Sequence, residues 1–167
     1  LRYVQKEPEF TWRGAIKADE DRVALPMYFC RDCGASGWIT RRLATDDRYC
    51  SDVRTVNMAF SNKEKDVYLL NTEVKRHEAV DDYLGENAIS VTHYVKLNNL
   101  SESSVSDSDT IRLRVCSKSS SNRNGNQKFA RTCPECNGGD TICQIGGRTS
   151  TLSSVAISQV LSSDFDH

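Results

Sequence analysis

The sequence has no long hydrophobic run and no excess of charge of either sign. None of its apolar stretches approaches the roughly 18 residues of a membrane-spanning helix, and the N-terminal stretch LRYVQKEPEF lacks the apolar core of a signal peptide. The 22 basic and 23 acidic residues give a formal net charge of -1, which excludes a global attraction to nucleic acid or to an anionic membrane. We therefore expect a cytoplasmic protein without a membrane partner, whose contacts with nucleic acid are local.

Common catalytic motifs are also lacking. The sequence contains no phosphate-binding GxxxxGK(S/T) loop, no HExxH zinc-protease motif and no GxSxG nucleophile turn. The 167 residues fit one domain with additional terminal segments. Because the chain starts at Leu1 and ends in a polar run, we expect a piece of a larger protein, without enzymatic activity of its own.

Cysteine, in contrast, is abundant. The count of 7 is odd and a reducing compartment keeps thiols reduced, so a disulfide framework is not expected. Four cysteines form two CxxC pairs, Cys30 with Cys33 and Cys133 with Cys136, and each pair is followed closely by glycine. Two such turns supply the four soft ligands of a tetrahedral Zn²⁺ site. We predict a structural zinc at these cysteines, without an open position for substrate.

Other interpretations of the cysteines remain. A redox-active dithiol would explain one CxxC, but it leaves the second pair unexplained and neither pair has a βαβ context. Cys50, Cys116 and Cys143 are not paired at ligand spacing, which favours small buried residues or surface thiols. A second site that combines Cys50 and Cys116 with His77 or His93 is a weaker alternative.

Alternating apolar residues predict several strands. We predict strands at 66–70, at 88–97 and at 110–115, the second burying the face of Ile89, Val91, Val95 and Leu97 and the third exposing Arg112 and Arg114. His93 lies in line with the apolar face of its strand, which favours a hydrogen-bonded core histidine. We expect polar, turn-rich or loop structure at 46–66 and 101–109, and a mobile segment at 117–127.

Two segments have helical patterns. Residues 73–85 fit one or two helical turns closed by Gly85, and residues 148–163 carry an apolar stripe at i, i+3, i+4 and i+8. The stripe consists of Leu152, Val155, Ala156 and Val160. A lone terminal helix of this kind buries little by itself, so we expect it to dock on a neighbouring domain.

Basic residues gather in sequence near both CxxC pairs. If the metal joins the pairs, a positive face forms there, with Trp38, Tyr49 and Phe129 available to stack on bases. The candidates for nucleic-acid contact are Arg31, Trp38, Arg41, Arg42, Lys128 and Arg131, with Arg48, Lys118 and Arg123 nearby. The alternative is that these are ordinary solvated charges, since Asp32, Asp46, Asp47 and Glu135 lie among them.

The order of these motifs resembles the cysteine-rich segment inside large bacterial superfamily 2 DEAD/DEAH-box helicases, some of them associated with defence against phage. The similarity rests on FTW at 10–12, PMYFCRDCGASGW at 26–38, CPECNGG at 133–139 and IGGRTSTLSSVAISQVL at 145–161. It implies a zinc site at the four cysteines, DNA as a partner and ATP-binding motor domains elsewhere in the same protein. Arg148, at the start of the implied motor-entry helix, is a further candidate for contact with nucleic acid.

We therefore predict a mostly β, α+β domain that is zinc-ribbon-like, with a long insert and a C-terminal helix. Residues 1–25 form an approach segment from a preceding motor domain, 26–147 the zinc domain with its insert at 50–115, and 148–167 a truncated helix that leads into a second motor. The expected role is that of an accessory domain of an ATP-dependent DNA helicase or translocase. The alternative is a zinc-framed protein-interaction module that binds no nucleic acid.

Overall fold

A computed structural model describes residues 1–5, 22–72 and 87–145. In these ranges the chain is mostly β, as predicted, and its strands form one large antiparallel sheet beside a two-stranded ribbon. The described part of the chain contains no helix that is long and apolar enough to span a membrane. The segment FTW, His77, Arg148 and the two predicted helices lie outside the described residues.

The large sheet has the order β10-β3-β4-β5-β8-β6-β7, and β9 pairs with the distal end of β8. Every pairing is antiparallel. As in any β-strand, adjacent residues present their side chains to opposite faces of the sheet. The strands are β1 Arg2–Tyr3, β2 Ala24–Leu25, β3 Met27–Cys30, β4 Ser36–Arg41, β5 Val67–Thr72, β6 Ala88–Lys96, β7 Glu102–Ser103, β8 Thr110–Ser121, β9 Gln127–Phe129 and β10 Ile142–Ile145. The single described helix is α1 Val53–Ser61.

The sheet has a hydrophobic cluster on each face. On the helix face, which we define as the side against which α1 packs, Ile39 and Leu69 meet Phe60 of the helix. On the opposite face, Trp38 and Leu70 pack beneath the N-terminal ribbon, with members that include Val4, Leu25, Val95, Leu113 and Val115. The central strands β4 and β5 are therefore covered on both sides, so consecutive residues such as Trp38 and Ile39 or Leu69 and Leu70 are all buried.

The predicted strands at 66–70, 88–97 and 110–115 are confirmed as β5, β6 and β8, but two of their neighbouring segments differ from expectation. The polar stretch 46–66 contains α1, which begins after Asp52, whose side chain caps it by accepting the Thr55 N–H at 2.9 Å. Val56, Ala59 and Phe60 give this short helix its buried stripe. Residues 117–127, predicted to be mobile, continue β8 and turn into β9, because pairing with β6 and β9 orders the serine-rich strand.

Two predictions about strand faces were wrong. Ile89 and Val91 are 45% and 46% exposed, because the cover that buries Val95 on the same face does not extend to this end of β6. Arg114, predicted to be solvated, is 5% exposed, because the second CxxC turn packs over this part of the helix face. Residues 101–109 are largely exposed, as expected of a loop, although they include the two-residue strand β7.

Candidate metal centre

The two CxxC turns have the same backbone construction. In the first, Cys30 N–H donates to Ala35 C=O and Gly34 N–H donates back to Cys30 C=O, at 2.8 and 3.0 Å. In the second, Cys133 makes the equivalent pair of bonds with Gly138 and Asn137, both at 3.0 Å. The residue after each second cysteine is in the left-handed region in both turns, with φ 74° at Gly34 and 56° at Asn137. Glycine suits position 34 because it adopts a positive φ without steric strain.

The sheet brings the two turns together. The first turn connects β3 to β4, the second lies between β9 and β10, and β10 pairs with β3 so that Ile142 is opposite Cys30. The four Sγ atoms of Cys30, Cys33, Cys133 and Cys136 consequently lie within 4.8 Å of one another. In each turn the first cysteine is buried and the second is exposed. The predicted four-cysteine cluster is thus present in the structure, and it is a possible metal site.

The sulfur geometry fits a tetrahedral metal. Two cross-turn pairs, Cys30 with Cys136 and Cys33 with Cys133, have Sγ···Sγ distances of 3.7 Å. A tetrahedron with metal–sulfur bonds of about 2.3 Å has edges of about 3.8 Å, whereas a disulfide would need about 2 Å. Four sulfur ligands match the preference of Zn²⁺, and they would occupy all four positions of a tetrahedral coordination shell.

The surroundings of the sulfurs shift the pKa values of the thiols in different directions, since the pKa of Cys30 is lowered while burial raises the pKa values of Cys33 and Cys133. Burial raises the pKa of the Cys30 thiol, but its hydrogen bonds with the Thr141 side chain and with the backbone of Cys33 and Asp32 outweigh this effect and lower the pKa to about 6. Burial raises the pKa of Cys133, even though the Glu135 N–H lies 3.4 Å from its Sγ. Because Cys133 must lose its proton to bind metal, metal uptake is coupled to proton release.

A buried ion pair fastens the second turn to the sheet. The Nη1 of Arg114 lies 3.0 Å from Oε1 of Glu135, and the two side chains are 6% and 9% exposed. Arg114 also donates to Pro134 C=O at 3.3 Å and to Ser90 Oγ at 3.1 Å, while Asn71 Nδ2 donates to Glu135 at 3.0 Å. This network joins β5, β6 and β8 to the residues between Cys133 and Cys136, so it holds two ligands in position.

Three cations surround the tip of the second turn. Arg31 Nη2 donates to Asp140 C=O at 2.9 Å, Lys63 Nζ lies 3.3 Å from the Asp140 carboxylate, and Lys118 Nζ lies 3.2 Å from Asn137 Oδ1. Four thiolates with one divalent cation carry a net charge of about -2, which these cations offset in part. Among the described candidates for nucleic-acid contact, Arg31 and Lys118 thus contact the second turn or the residues that follow it.

The other predicted nucleic-acid residues are dispersed. Arg41 pairs with Asp66 and Glu64 at 2.6 and 2.9 Å, and Arg42 pairs with Glu102. Arg131 donates to Phe60 C=O at 3.0 Å. The side chains of these three arginines therefore make contacts within the fold. Lys128 on β9 is exposed, and so are Arg48 and Arg123 in the loops.

The proposed stacking aromatics are not accessible. Trp38, Tyr49 and Phe129 are 1%, 3% and 1% exposed, because the strands and loops that carry them direct their rings into the two clusters. Trp38 Nε1 donates to Arg2 C=O at 3.1 Å, so its polar edge is satisfied inside the fold. Stacking of bases on these rings is therefore incompatible with the described fold.

The three remaining cysteines lie apart from the cluster. Cys116 is buried with its Sγ 3.5 Å from Ser90 Oγ, while Cys50 and Cys143 are half-buried. Among the described residues the four-cysteine cluster is the one group of potential metal ligands, so a second site with Cys50, Cys116 and His93 does not form there. His93 is hydrogen-bonded to Tyr49 Oη at 3.0 Å, as predicted, but its side chain is 23% exposed and therefore lies outside the core.

Comparisons of the chain with protein-family models, with curated proteins and with solved structures found no match.

Proposed function

We propose that this chain is a structural zinc module without catalytic activity. The observation that carries the proposal is the four-cysteine cluster, whose Sγ atoms lie within 4.8 Å of one another. The metal would link β3–β4 to β9–β10 and close a loop of roughly 100 residues, which favours the folded state by restricting the unfolded chain. Four thiolates would fill the coordination shell, so the metal would stabilise the fold and bind no substrate.

We further propose that the module serves as an accessory domain of an ATP-dependent DNA helicase or translocase. This proposal is supported by the order of the FTW, YFCRDCG, CPECNGG and IGGRTSTLSSV motifs along the chain. A rigid metal-bound sheet would suit a part that keeps two motor domains in register. Arg31 and the neighbouring Lys63 and Lys118 are the cations best placed for a contact with a DNA backbone near the metal.

A zinc-framed protein-interaction module is the second candidate. Its support is that Arg41, Arg42 and Arg131 are engaged within the fold and that Trp38 is buried. These contacts remove four of the seven residues on which direct nucleic-acid binding was predicted. Such a module would recognise a protein surface and would keep its partner at high salt.

The zinc proposal is tested by elemental analysis and by unfolding with and without a chelator. We expect about one zinc per chain, and we expect the Cys33→Ser, Cys136→Ser double variant to lose both the zinc and much of its thermal stability. Cys143→Ser is the matched control, because Cys143 is a half-buried cysteine outside the cluster. A chain that binds no metal, or a double variant as stable as Cys143→Ser, would refute the proposal.

The two roles are separated by the salt dependence of binding. Single-stranded and duplex DNA are titrated into the zinc-loaded protein at low and moderate salt, alongside the Arg31→Ala, Lys63→Ala variant. The helicase role predicts binding that weakens steeply with salt and weakens further in the variant. Absence of binding to either DNA at low salt would leave the interaction role as the better account.

A further inference from the structure

The outer edge of β6 exposes a row of backbone hydrogen-bonding groups. Across the β6–β8 pairing, Leu97 N–H donates to Asp109 C=O at 2.9 Å and Ser119 N–H donates to Asn87 C=O at 3.0 Å. The odd-numbered residues of β6 therefore point their backbone groups towards β8. Backbone direction alternates along an antiparallel strand, so Ala88, Ser90 and Thr92 point theirs away from the sheet.

The described structure covers little of this edge. The two-residue strand β7 pairs with Tyr94 and Val95, and Lys96 N–H bonds to Ser101 C=O at 2.9 Å on the same side. From Ala88 to His93, no described strand pairs with the outer side of β6. Sheet edges in soluble proteins are usually protected by charges, prolines or bulges, yet the stretch AISVTH contains no charged residue and no proline.

An aliphatic surface accompanies this edge. Ile89 and Val91 are 45% and 46% exposed on the face opposite the helix, and Leu43 is 44% exposed nearby. These side chains line a groove of about 390 Å³ that is floored by Tyr68 and Val115. An edge whose backbone groups have no partner in the described strands, and which carries alternating aliphatic side chains, fits an extended strand better than a small ligand.

We propose that β6 pairs with β6 of a second copy of this chain, antiparallel, with the two-fold axis at Ser90. This register pairs Ser90 with its symmetry mate and Ala88 with Thr92, so all three outward-pointing residues hydrogen-bond across the interface. It also sets Ile89 opposite Val91 of the second copy, which joins the two aliphatic surfaces. A two-fold axis at Thr92 is excluded, because it would require Tyr94, whose edge is paired with β7.

A second copy is favoured over an unrelated strand because the edge is self-complementary. Aliphatic side chains meet aliphatic side chains in this register, and no like charges face each other, since AISVTH is uncharged. Six residues of strand and four aliphatic side chains form a small interface, below about 1,200 Å² in total, so we expect a dissociation constant in the micromolar to millimolar range. The resulting dimer would carry a metal centre in each half of one continuous sheet.

The test begins with sedimentation of the whole zinc-loaded chain over a wide concentration range. We expect a reversible monomer–dimer equilibrium, and we expect Val91→Lys to weaken dimerisation by about tenfold or more. Leu43→Lys is the matched control, because Leu43 is equally exposed in the same groove but lies outside β6. A protein that stays monomeric up to about 1 mM, or a dimer that Val91→Lys does not weaken, overturns the proposal.

Amide hydrogen exchange then tests the register. We expect the N–H groups of Ser90 and Thr92 to become protected as the protein concentration rises, whereas those of Ile89 and Val91, which bond to β8, are protected at every concentration. A dimer in which Ser90 and Thr92 still exchange rapidly places the interface elsewhere. Protection of Ser90 and Thr92 in the dilute monomer means that another part of this chain covers the edge. Either result overturns the proposal.

Discussion

Replacing Arg114 by methionine is the sharpest test of how the second CxxC turn is held. Methionine keeps the length and the apolar packing of the arginine stem but removes its three hydrogen bonds, to Glu135, Pro134 and Ser90. The Glu135 carboxylate would remain 9% exposed, with Asn71 Nδ2 as its remaining described donor. An uncompensated buried charge of this kind costs about 3–5 kcal/mol.

This loss is large relative to the stability of the domain. A domain of this size is stable by about 5–15 kcal/mol, and each kcal/mol corresponds to about 2–4 °C in melting temperature. We therefore expect Arg114→Met to lower the melting temperature by about 6–20 °C and to lower zinc affinity by about tenfold or more, because the turn carries two ligands. Calorimetry and a competition titration with a chromophoric chelator measure the two effects.

A double-mutant cycle separates the ion pair from the packing. Arg114→Met with Glu135→Met removes both charges, so the double variant should lose less stability than Arg114→Met alone. Arg112→Met is the control, since Arg112 is exposed on the same strand and its replacement should cost no more than about 1 kcal/mol. A loss below about 1 kcal/mol for Arg114→Met, or additive losses in the cycle, would refute the reasoning.

Three further predictions concern single positions. Gly37→Ala should cost about 3 kcal/mol or more in chemical denaturation, because a Cβ there would lie 2.2 Å from Leu70 C=O, whereas Gly139→Ala, with no atom within 4 Å of its Cβ, should be nearly neutral. Gly34→Ala should cost about 1–2 kcal/mol because φ is 74°, and Gly34→Asn should cost less, as Asn is accepted at the equivalent position 137. Burial lowers the pKa of His93, so the unfolded state binds its proton more readily and stability should fall as the pH drops below about 6.5. His93→Gln should reduce this fall, and an unchanged pH profile would contradict the assignment.

The four-cysteine cluster and the strands β5, β6 and β8 could be predicted because their signals are local. Two CxxC pairs define ligands without knowledge of the fold, and the alternation of Ile111, Leu113 and Val115 identifies β8 and its apolar face. The sequence also contains a signal for the helix α1, since Asp52 is a favourable N-cap residue and Val56, Ala59 and Phe60 follow at helical spacing. This signal is weak, however, because only nine residues carry the pattern within a polar stretch.

The remaining features depend on contacts between distant residues. Arg112 and Arg114 occupy equivalent positions in the alternating pattern of β8. Arg114 is buried and Arg112 is exposed because the second CxxC turn packs over Arg114 alone. Likewise, the serine-rich end of β8 has no apolar pattern of its own. Ser117 is nevertheless buried, and its hydroxyl group is satisfied there by donating to Val67 C=O of β5 at 2.7 Å. Trp38 shows the same limit, since nothing in its neighbourhood in sequence indicates the ribbon that covers it.

The pairing of β10 with β3 also has a consequence for how the chain folds during synthesis. Ile142 lies opposite Cys30, so this ladder and the complete ligand set are formed by residues from opposite ends of the described chain. A growing chain cannot assemble them until β10 has left the ribosome, and contacts of such long sequence separation slow folding. Until then, β3 can pair with β4 but not with β10, and Cys30 and Cys33 lack the second pair of thiols. We therefore expect metal binding to follow the synthesis of β10 and to stabilise the final strand order.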